Sequence, residues 1–149
     1  GLYFQAIPNN PLDGVATIDH KIADKFGYFK IDLLNNNVYR DIRDEQHLLE
    51  LMEKEPNWQM LSDTEFVSKL YHLGNHAELV KQYMPSNTEQ LAQLLAIIRP
   101  AKAHLQGKSW EEISKEVWIP PHNNKYYFKK AHAIAFAILI QVQMNLLCQ

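Results

Sequence analysis

The spacing of apolar residues predicts helices over most of the chain after residue 40. One segment shows the i, i+3, i+4, i+7 period of a helix most clearly, at Leu91, Leu94, Leu95 and Ile98. Residues that cap helix N-termini precede this and the other apolar stretches, at Asp44, Ser62, Asn75, Ser86, Asn87 and Ser109. Residues that end helices follow four of these stretches, at Pro56, Gly74, Pro85 and Pro100. The pattern therefore predicts a mainly α-helical fold with an irregular multi-helix architecture.

Residues 131–147 form a long apolar run whose periodicity alone fits either a strand or a helix. The run is far longer than an average strand of about five or six residues, and it is rich in alanine, which strands disfavour. We therefore predict a helix that is apolar on nearly all sides and buried among other helices. Polar residues within the run argue against a membrane span, namely His132, Gln141, Gln143 and Asn145.

Residues 26–34 are aromatic and aliphatic and predict one short strand near the N-terminus. Lys30 and Asp32 are two residues apart, so in a strand their side chains point to the same face. An aspartate at a strand end beside a lysine suits binding of a divalent metal and a phosphate. Alternatively, Asp32 initiates a turn before the asparagines at 35–37. Spacing alone leaves both interpretations open.

Basic residues open the C-terminal apolar run, at Lys129, Lys130 and His132. A helix N-terminus already carries partial positive charge, so added cations are locally unfavourable unless an anion binds there. The alternative is a solvated helix start without a ligand. Arg99 ends an earlier apolar stripe, where a cation is favoured by the helix dipole and needs no function.

Composition indicates one soluble, globular domain with a basic C-terminal half. The chain has 149 residues, of which 46% are hydrophobic and 21% charged. Its single cysteine, Cys148, excludes a disulfide framework and suits a reducing, cytoplasmic compartment. The net charge of −2 divides into −6 for residues 1–80 and +4 for residues 81–149, so the second half could face a polyanion. No membrane partner is expected.

Residues 1–5, Gly-Leu-Tyr-Phe-Gln, resemble the end of an engineered protease-recognition tag. We expect them to be a tag remnant and leave them out of the prediction of the fold.

Three segments, in order, resemble the C-family DNA polymerases of the bacterial DNA polymerase III alpha subunit type. Residues 27–34 are similar to the palm strand Gly-Leu-Val-Lys-Phe-Asp-Phe-Leu. Residues 84–100 are similar to the fingers segment Lys-Pro-Ser-Ser-Phe-Glu-Asp-Leu-Ile that leads to Leu-Tyr-Arg-Pro-Gly-Pro. Residues 127–137 are similar to Gly-Phe-Asn-Lys-Ser-His-Ala-Ala-Ala-Tyr-Ala. The resemblance covers roughly residues 14–147 and implies a fingers-type helical domain preceded by the last palm strand.

The resemblance also implies a nucleotidyltransferase site. Asp32 would be a catalytic residue that binds Mg²⁺, and the nucleotide would be held by Lys30, Arg99, Lys129, Lys130 and His132. In this family a primer 3′-hydroxyl attacks the α-phosphate of a deoxynucleoside triphosphate while two metal ions stabilise the transition state. The implied partners are the DNA primer-template, the nucleotide and the remainder of the polymerase.

Departures from the family pattern lead us to expect an incomplete enzyme. The Pro-Gly-Pro motif is Pro-Ala-Lys at residues 100–102, and the serine of Lys-Ser-His is Ala131. The paired aspartates of the first palm segment are missing, and one carboxylate does not hold two metals. We therefore expect residues 6–37 to end a palm-like segment and residues 38–149 to form a fingers-like domain of a compact, phage-like version. By itself the chain should be inactive. The alternative is a helical protein-interaction module whose apolar C-terminal segment packs on a partner.

Overall fold

The molecule divides into two compact units, residues 1–37 and residues 38–149. The structure, a computed structural model, describes residues 1–31, 36–122 and 126–149. Within these ranges it contains seven α-helices and one small sheet at the N-terminal end, so the predicted mainly helical fold is confirmed.

The N-terminal unit combines one helix with a two-stranded antiparallel sheet. The helix α1 is His20–Lys25, and the strands are β1, Leu2–Tyr3, and β2, Lys30–Ile31. Leu2 pairs with Ile31 and Tyr3 with Lys30. The Gln5 side chain extends the pairing, because it accepts from the peptide N–H of residue 29 at 2.7 Å and donates to the carbonyl of residue 27 at 3.2 Å. The tag-like residues thus supply the partner of the predicted strand, whose described part is shorter than the predicted 26–34.

The C-terminal unit contains six α-helices in its described residues. In chain order the helices are α2, Glu45–Glu53; α3, Thr64–Ser68; α4, Ala77–Tyr83; α5, Thr88–Ile97; α6, Trp110–Glu116; and α7, Lys130–Leu147. The last helix packs against both α5 and α2. Every residue of α5 from Leu91 to Ile97 is buried, so α5 and α7 together form the centre of the core.

Three of the six predicted capping residues are confirmed; Ser86 is not a cap, because its hydroxyl donates to the Gln90 side chain and Asn87 caps α5 instead. Asp44 accepts from the peptide N–H of residue 47 at 2.8 Å, and Asn87 accepts from that of residue 90 at 2.9 Å. Ser109 and Glu112 form the predicted capping box of α6. These caps need only residues within one turn, which is why the sequence alone is sufficient to locate them.

Two further predicted caps, Ser62 and Asn75, do not begin the helices predicted for them. Ser62 does not cap α3, because its hydroxyl donates to the carbonyl of Gln59 at 2.8 Å within a short 3-10 turn. Asp63 caps α3 instead, accepting from the peptide N–H of residue 65 at 2.8 Å. Asn75 does not begin α4, which starts at Ala77. The helix predicted to extend to Gly74 already ends at residue 68.

The helix α7 is long and apolar enough to cross a membrane by length and composition, but half of it is buried inside the protein. One such helix does not make a membrane protein, because the core helix of a soluble protein meets the same criterion. Its amide side chains have partners within the C-terminal unit. Gln141 accepts from the Thr88 hydroxyl at 2.6 Å, whereas Gln143 accepts from the Tyr71 peptide N–H at 2.8 Å and donates to the Lys69 carbonyl at 2.7 Å.

Asn145 connects α7 to the end of α2. Its side chain is buried, and its amide group donates to the carbonyl of Leu51 at 2.9 Å and to that of Lys54 at 2.8 Å. These carbonyls belong to the last turn of α2, where helical acceptors lack partners of their own. The buried amide therefore closes one helix end and fixes it against another helix.

Replacing Gly74 with alanine is expected to destabilise the C-terminal unit by about 1 to 3 kcal/mol, because an added Cβ needs space that the backbone occupies. That Cβ would lie 2.8 Å from the carbonyl oxygen of Ser68. Urea denaturation followed by circular dichroism measures the change. The neighbouring exposed Asn75→Ala is the matched control and should change the free energy of unfolding by less than about 0.5 kcal/mol. Equal stability of both variants would contradict the steric explanation.

Candidate nucleotide site

The residues predicted to bind nucleotide and metal lie in different parts of the molecule. Asp32 lies outside the described residues. Lys30 is in β2 of the N-terminal unit, opposite Tyr3. Four further predicted residues belong to the C-terminal unit, namely Arg99, Lys129, Lys130 and His132. In the described ranges, no group of three or more His, Cys, Asp or Glu side chains is placed to hold a metal ion.

The start of α7 differs from the capped starts of α2, α5 and α6. Lys129 occupies the N-cap position with an extended backbone, and within the described part of the chain it makes no side-chain cap. The first turn contains no acidic residue. The first peptide N–H groups of a helix point outward without helical acceptors and carry the positive end of the dipole. This helix start therefore lacks the local acceptor that the starts of α2, α5 and α6 have.

A cavity of about 300 Å³ opens at this helix start and is lined by Tyr126, Tyr127, Lys129 and His132. Lys129 and His132 are three residues apart, so their side chains project from the same side of the helix. Both are exposed and can reach a ligand in the cavity. The arrangement offers two basic groups and two phenol rings to one small molecule.

Lys130 lies apart from this pair. Its ammonium is 3.3 Å from the Glu89 carboxylate and 6.0 Å from the centre of the Trp118 ring. Both partners of the ion pair are largely exposed, so the pair contributes no more than about 1 kcal/mol. The contact still directs the Lys130 side chain toward the start of α5. The structure thus brings Lys129 and His132 together and separates Lys130 from them.

Arg99 follows α5 and lies against the segment that precedes α7. Its guanidinium carbon is 5.0 Å from the centre of the Phe128 ring, within the range of a cation–π contact. Its Nε is enclosed and finds no hydrogen-bond partner among the described residues. Enclosed donors nearly always have an acceptor, so this Nε is an exception among the described residues.

Four rings, Tyr71, His72, Phe128 and Phe136, form an aromatic cluster beside Arg99. The Phe136 ring centre is 5.4 Å from that of Phe128, 5.0 Å from that of His72 and 5.8 Å from that of Tyr71. Sequence reasoning gave this cluster no role. Tyr71 and His72 lie in a turn with no periodic pattern, so only the tertiary structure places them beside α7.

His72 is held in an unusual state in two respects. Its φ of 61° is in the left-handed region, which is uncommon for residues other than glycine. Partial burial lowers the pKa of His72, and the positive charge of Arg99 lowers it further. The neutral imidazole is therefore favoured, which suits contact with other aromatic rings.

The described geometry favours an anion at the start of α7, since Lys129 and His132 line one cavity at a helix N-terminus that has no side-chain cap. No protein-family model, curated protein or solved structure matches this chain, so its function has to be inferred from its residues and their arrangement.

Proposed function

We propose that the C-terminal unit binds the triphosphate of a deoxynucleoside triphosphate, as the fingers part of a C-family DNA polymerase. The observation that carries the proposal is the cavity that Lys129 and His132 share at the uncapped start of α7. Peptide N–H groups and the Lys129 ammonium would donate to phosphate oxygens. Arg99 would add a third positive group across the Phe128 ring. Lys130 would contribute less, because Glu89 neutralises part of its charge.

The proposal extends to the polymerase as a whole through the sequence resemblance. The resemblance implies a magnesium ion on Asp32 and a triphosphate contact from Lys30. Asp32 lies outside the described residues. The structural observations that support the proposal therefore come from the phosphate-binding side chains of the C-terminal unit. A cytoplasmic location, the primer-template and the remainder of the polymerase belong to the same proposal.

The proposal is tested by measuring the binding of dATP with titration calorimetry at several salt concentrations. We expect measurable binding at low salt that weakens as salt rises, because phosphate contacts are screened. Lys129→Gln and His132→Gln should each weaken binding by roughly tenfold, since a hydrogen bond to a charged group contributes about 1.5 kcal/mol or more. Lys130→Gln should have a smaller effect than Lys129→Gln.

Lys81→Gln is the matched control, because Lys81 is an exposed lysine on α4. This variant should bind dATP within about twofold of the unmodified protein. Loss of affinity that is equal for Lys81→Gln and Lys129→Gln would show only a general charge effect. Absence of dATP binding at low salt would refute the proposed function.

A protein-interaction role is the second candidate, and exposed apolar side chains of the N-terminal unit favour it. Leu12, Phe26 and Phe29 are 94%, 75% and 60% exposed. Exposed apolar side chains that form a contiguous patch commonly mark a surface for a protein partner. The apolar side of α7, by contrast, is largely occupied by the core of its own unit. A protein partner would bind with little dependence on salt, unlike a nucleotide.

A further inference from the structure

The aromatic cluster lies next to the proposed phosphate site on the same side of α7. Phe136 is four residues beyond His132, which places it one helical turn, or about 6 Å, further along the axis. Tyr71 and His72 come from the turn after α3 and contact Phe136 from outside. None of the three segments that resemble polymerase motifs contains Tyr71 or His72. The position of these two rings is therefore known from the structure and does not depend on the sequence resemblance.

The turn that carries Tyr71 and His72 is fixed to α7 by Gln143. The Gln143 side chain accepts from the Tyr71 peptide N–H at 2.8 Å and donates to the Lys69 carbonyl at 2.7 Å. These two hydrogen bonds hold the backbone of the turn. They do not involve the Tyr71 ring. The ring lies nearly parallel to Phe136, with an angle of 20° between the planes, and keeps an exposed side.

The exposed side of the Tyr71 ring has the properties of a stacking surface for a flat ligand. His72 contacts Tyr71 with ring centres 4.1 Å apart and an angle of 56° between the planes, so it borders the Tyr71 ring without extending its plane. Its imidazole is favoured in the neutral form by burial and by Arg99, which lower its pKa. Nucleobases stack on such rings in many proteins without specific hydrogen bonds.

We infer that the exposed side of the Tyr71 ring, bordered by His72, is the surface on which the base of the bound nucleotide stacks. The inference rests on the proposed function, because Lys129 and His132 would hold the phosphates of the same molecule. One helical turn between His132 and Phe136 is within the length of one nucleotide. The surface contacts only the face of a base, so it accepts all four bases, and purines should bind more tightly than pyrimidines because their rings are larger.

Comparison of dATP with inorganic tripolyphosphate, by titration calorimetry at low salt, separates the base from the phosphates. We expect dATP to bind at least about fivefold more tightly than tripolyphosphate. Tyr71→Ser should reduce the affinity for dATP to that for tripolyphosphate and leave the tripolyphosphate affinity unchanged, which also reports that the variant is folded. Tyr71→Phe should keep the preference for dATP, because it keeps the ring.

Tyr39→Ser is the matched control, because Tyr39 is exposed to a similar extent but lies outside the aromatic cluster. It should leave both affinities unchanged. Equal affinities for dATP and tripolyphosphate, both reduced by Lys129→Gln, would overturn the stacking surface and leave the proposed phosphate site in place. Binding of neither ligand would overturn both. A preference for dATP that survives in Tyr71→Ser would also overturn the assignment to Tyr71.

Discussion

Replacing Ala137 with lysine is expected to unfold the C-terminal unit, whereas the same replacement at Ala135 should leave it folded. Ala137 is fully buried on α7, while Ala135, half a turn away, is exposed. A lysine at 137 would have to enter the core, where burial of an unpaired charge costs on the order of several kcal/mol and the long side chain adds overpacking. That cost is comparable to the whole stability of a small domain, about 5 to 15 kcal/mol. Circular dichroism during urea denaturation measures both variants.

The same pair of variants distinguishes a core helix from a membrane span. In a helix surrounded by lipid, lysine near the centre costs about 2.5 to 3.5 kcal/mol whichever side it faces. In a core helix only the buried side is sensitive, so Ala135→Lys should change the free energy of unfolding by less than about 0.5 kcal/mol. Comparable damage from both variants, or tolerance of lysine at 137, would contradict the described packing of α7.

Replacing Asn145 with leucine is expected to destabilise the unit by about 2 to 3 kcal/mol. Leucine has a similar size but no donor, so the carbonyls of Leu51 and Lys54 would lose their side-chain partner. Each unsatisfied buried polar group costs about 1 to 3 kcal/mol, and the gain from an apolar side chain offsets part of it. Thermal unfolding should show a midpoint lower by roughly 10 °C, given about 4 °C or more for each kcal/mol in a domain of this size.

Gln82→Leu is the control for Asn145→Leu, because it removes an exposed amide from α4. It should shift the midpoint by no more than a few degrees. A gain of stability in Asn145→Leu would show that the hydrophobic contribution outweighs both hydrogen bonds. That result would contradict the role given to Asn145 in joining α7 to α2.

Local features of this fold could be predicted from the sequence, and features that depend on distant residues could not. The caps at Asp44, Asn87 and Ser109 act within one helical turn, so their residue types and spacing determine them. The prediction of Ser62 as a cap was wrong. The adjacent Asp63 makes the capping hydrogen bond, and the Ser62 hydroxyl donates to another acceptor. Backbone geometry decides which of two adjacent residues caps a helix, and the spacing of residues in the sequence does not reveal that geometry.

The partners of the polar residues in α7 are far away along the chain. Asn145 binds a carbonyl 94 residues earlier, and Gln143 binds a peptide group 72 residues earlier. From the sequence, these amides argued only against a membrane span; in the structure they join α7 to the rest of its unit. No local pattern indicates which elements an amide will join, because that depends on how the helices pack.

The candidate site follows the same division between local and distant features. The basic residues at the start of α7 were visible in the sequence, and helical geometry accounts for the common side of Lys129 and His132. The contact of the Lys130 side chain with Glu89 could not be predicted, since Glu89 is 41 residues earlier and belongs to α5. The aromatic cluster was missed for the same reason, because Tyr71 and His72 meet Phe136 only through tertiary packing.

Residue-resolved amide chemical shifts during titration with tripolyphosphate test the central claim most directly. If the start of α7 binds the phosphates of a nucleotide, the largest shifts should occur at the peptide N–H groups of Lys130, Ala131 and His132, and Lys129→Gln should reduce them. Unchanged signals at these three residues, with shifts elsewhere or none at all, would contradict the account.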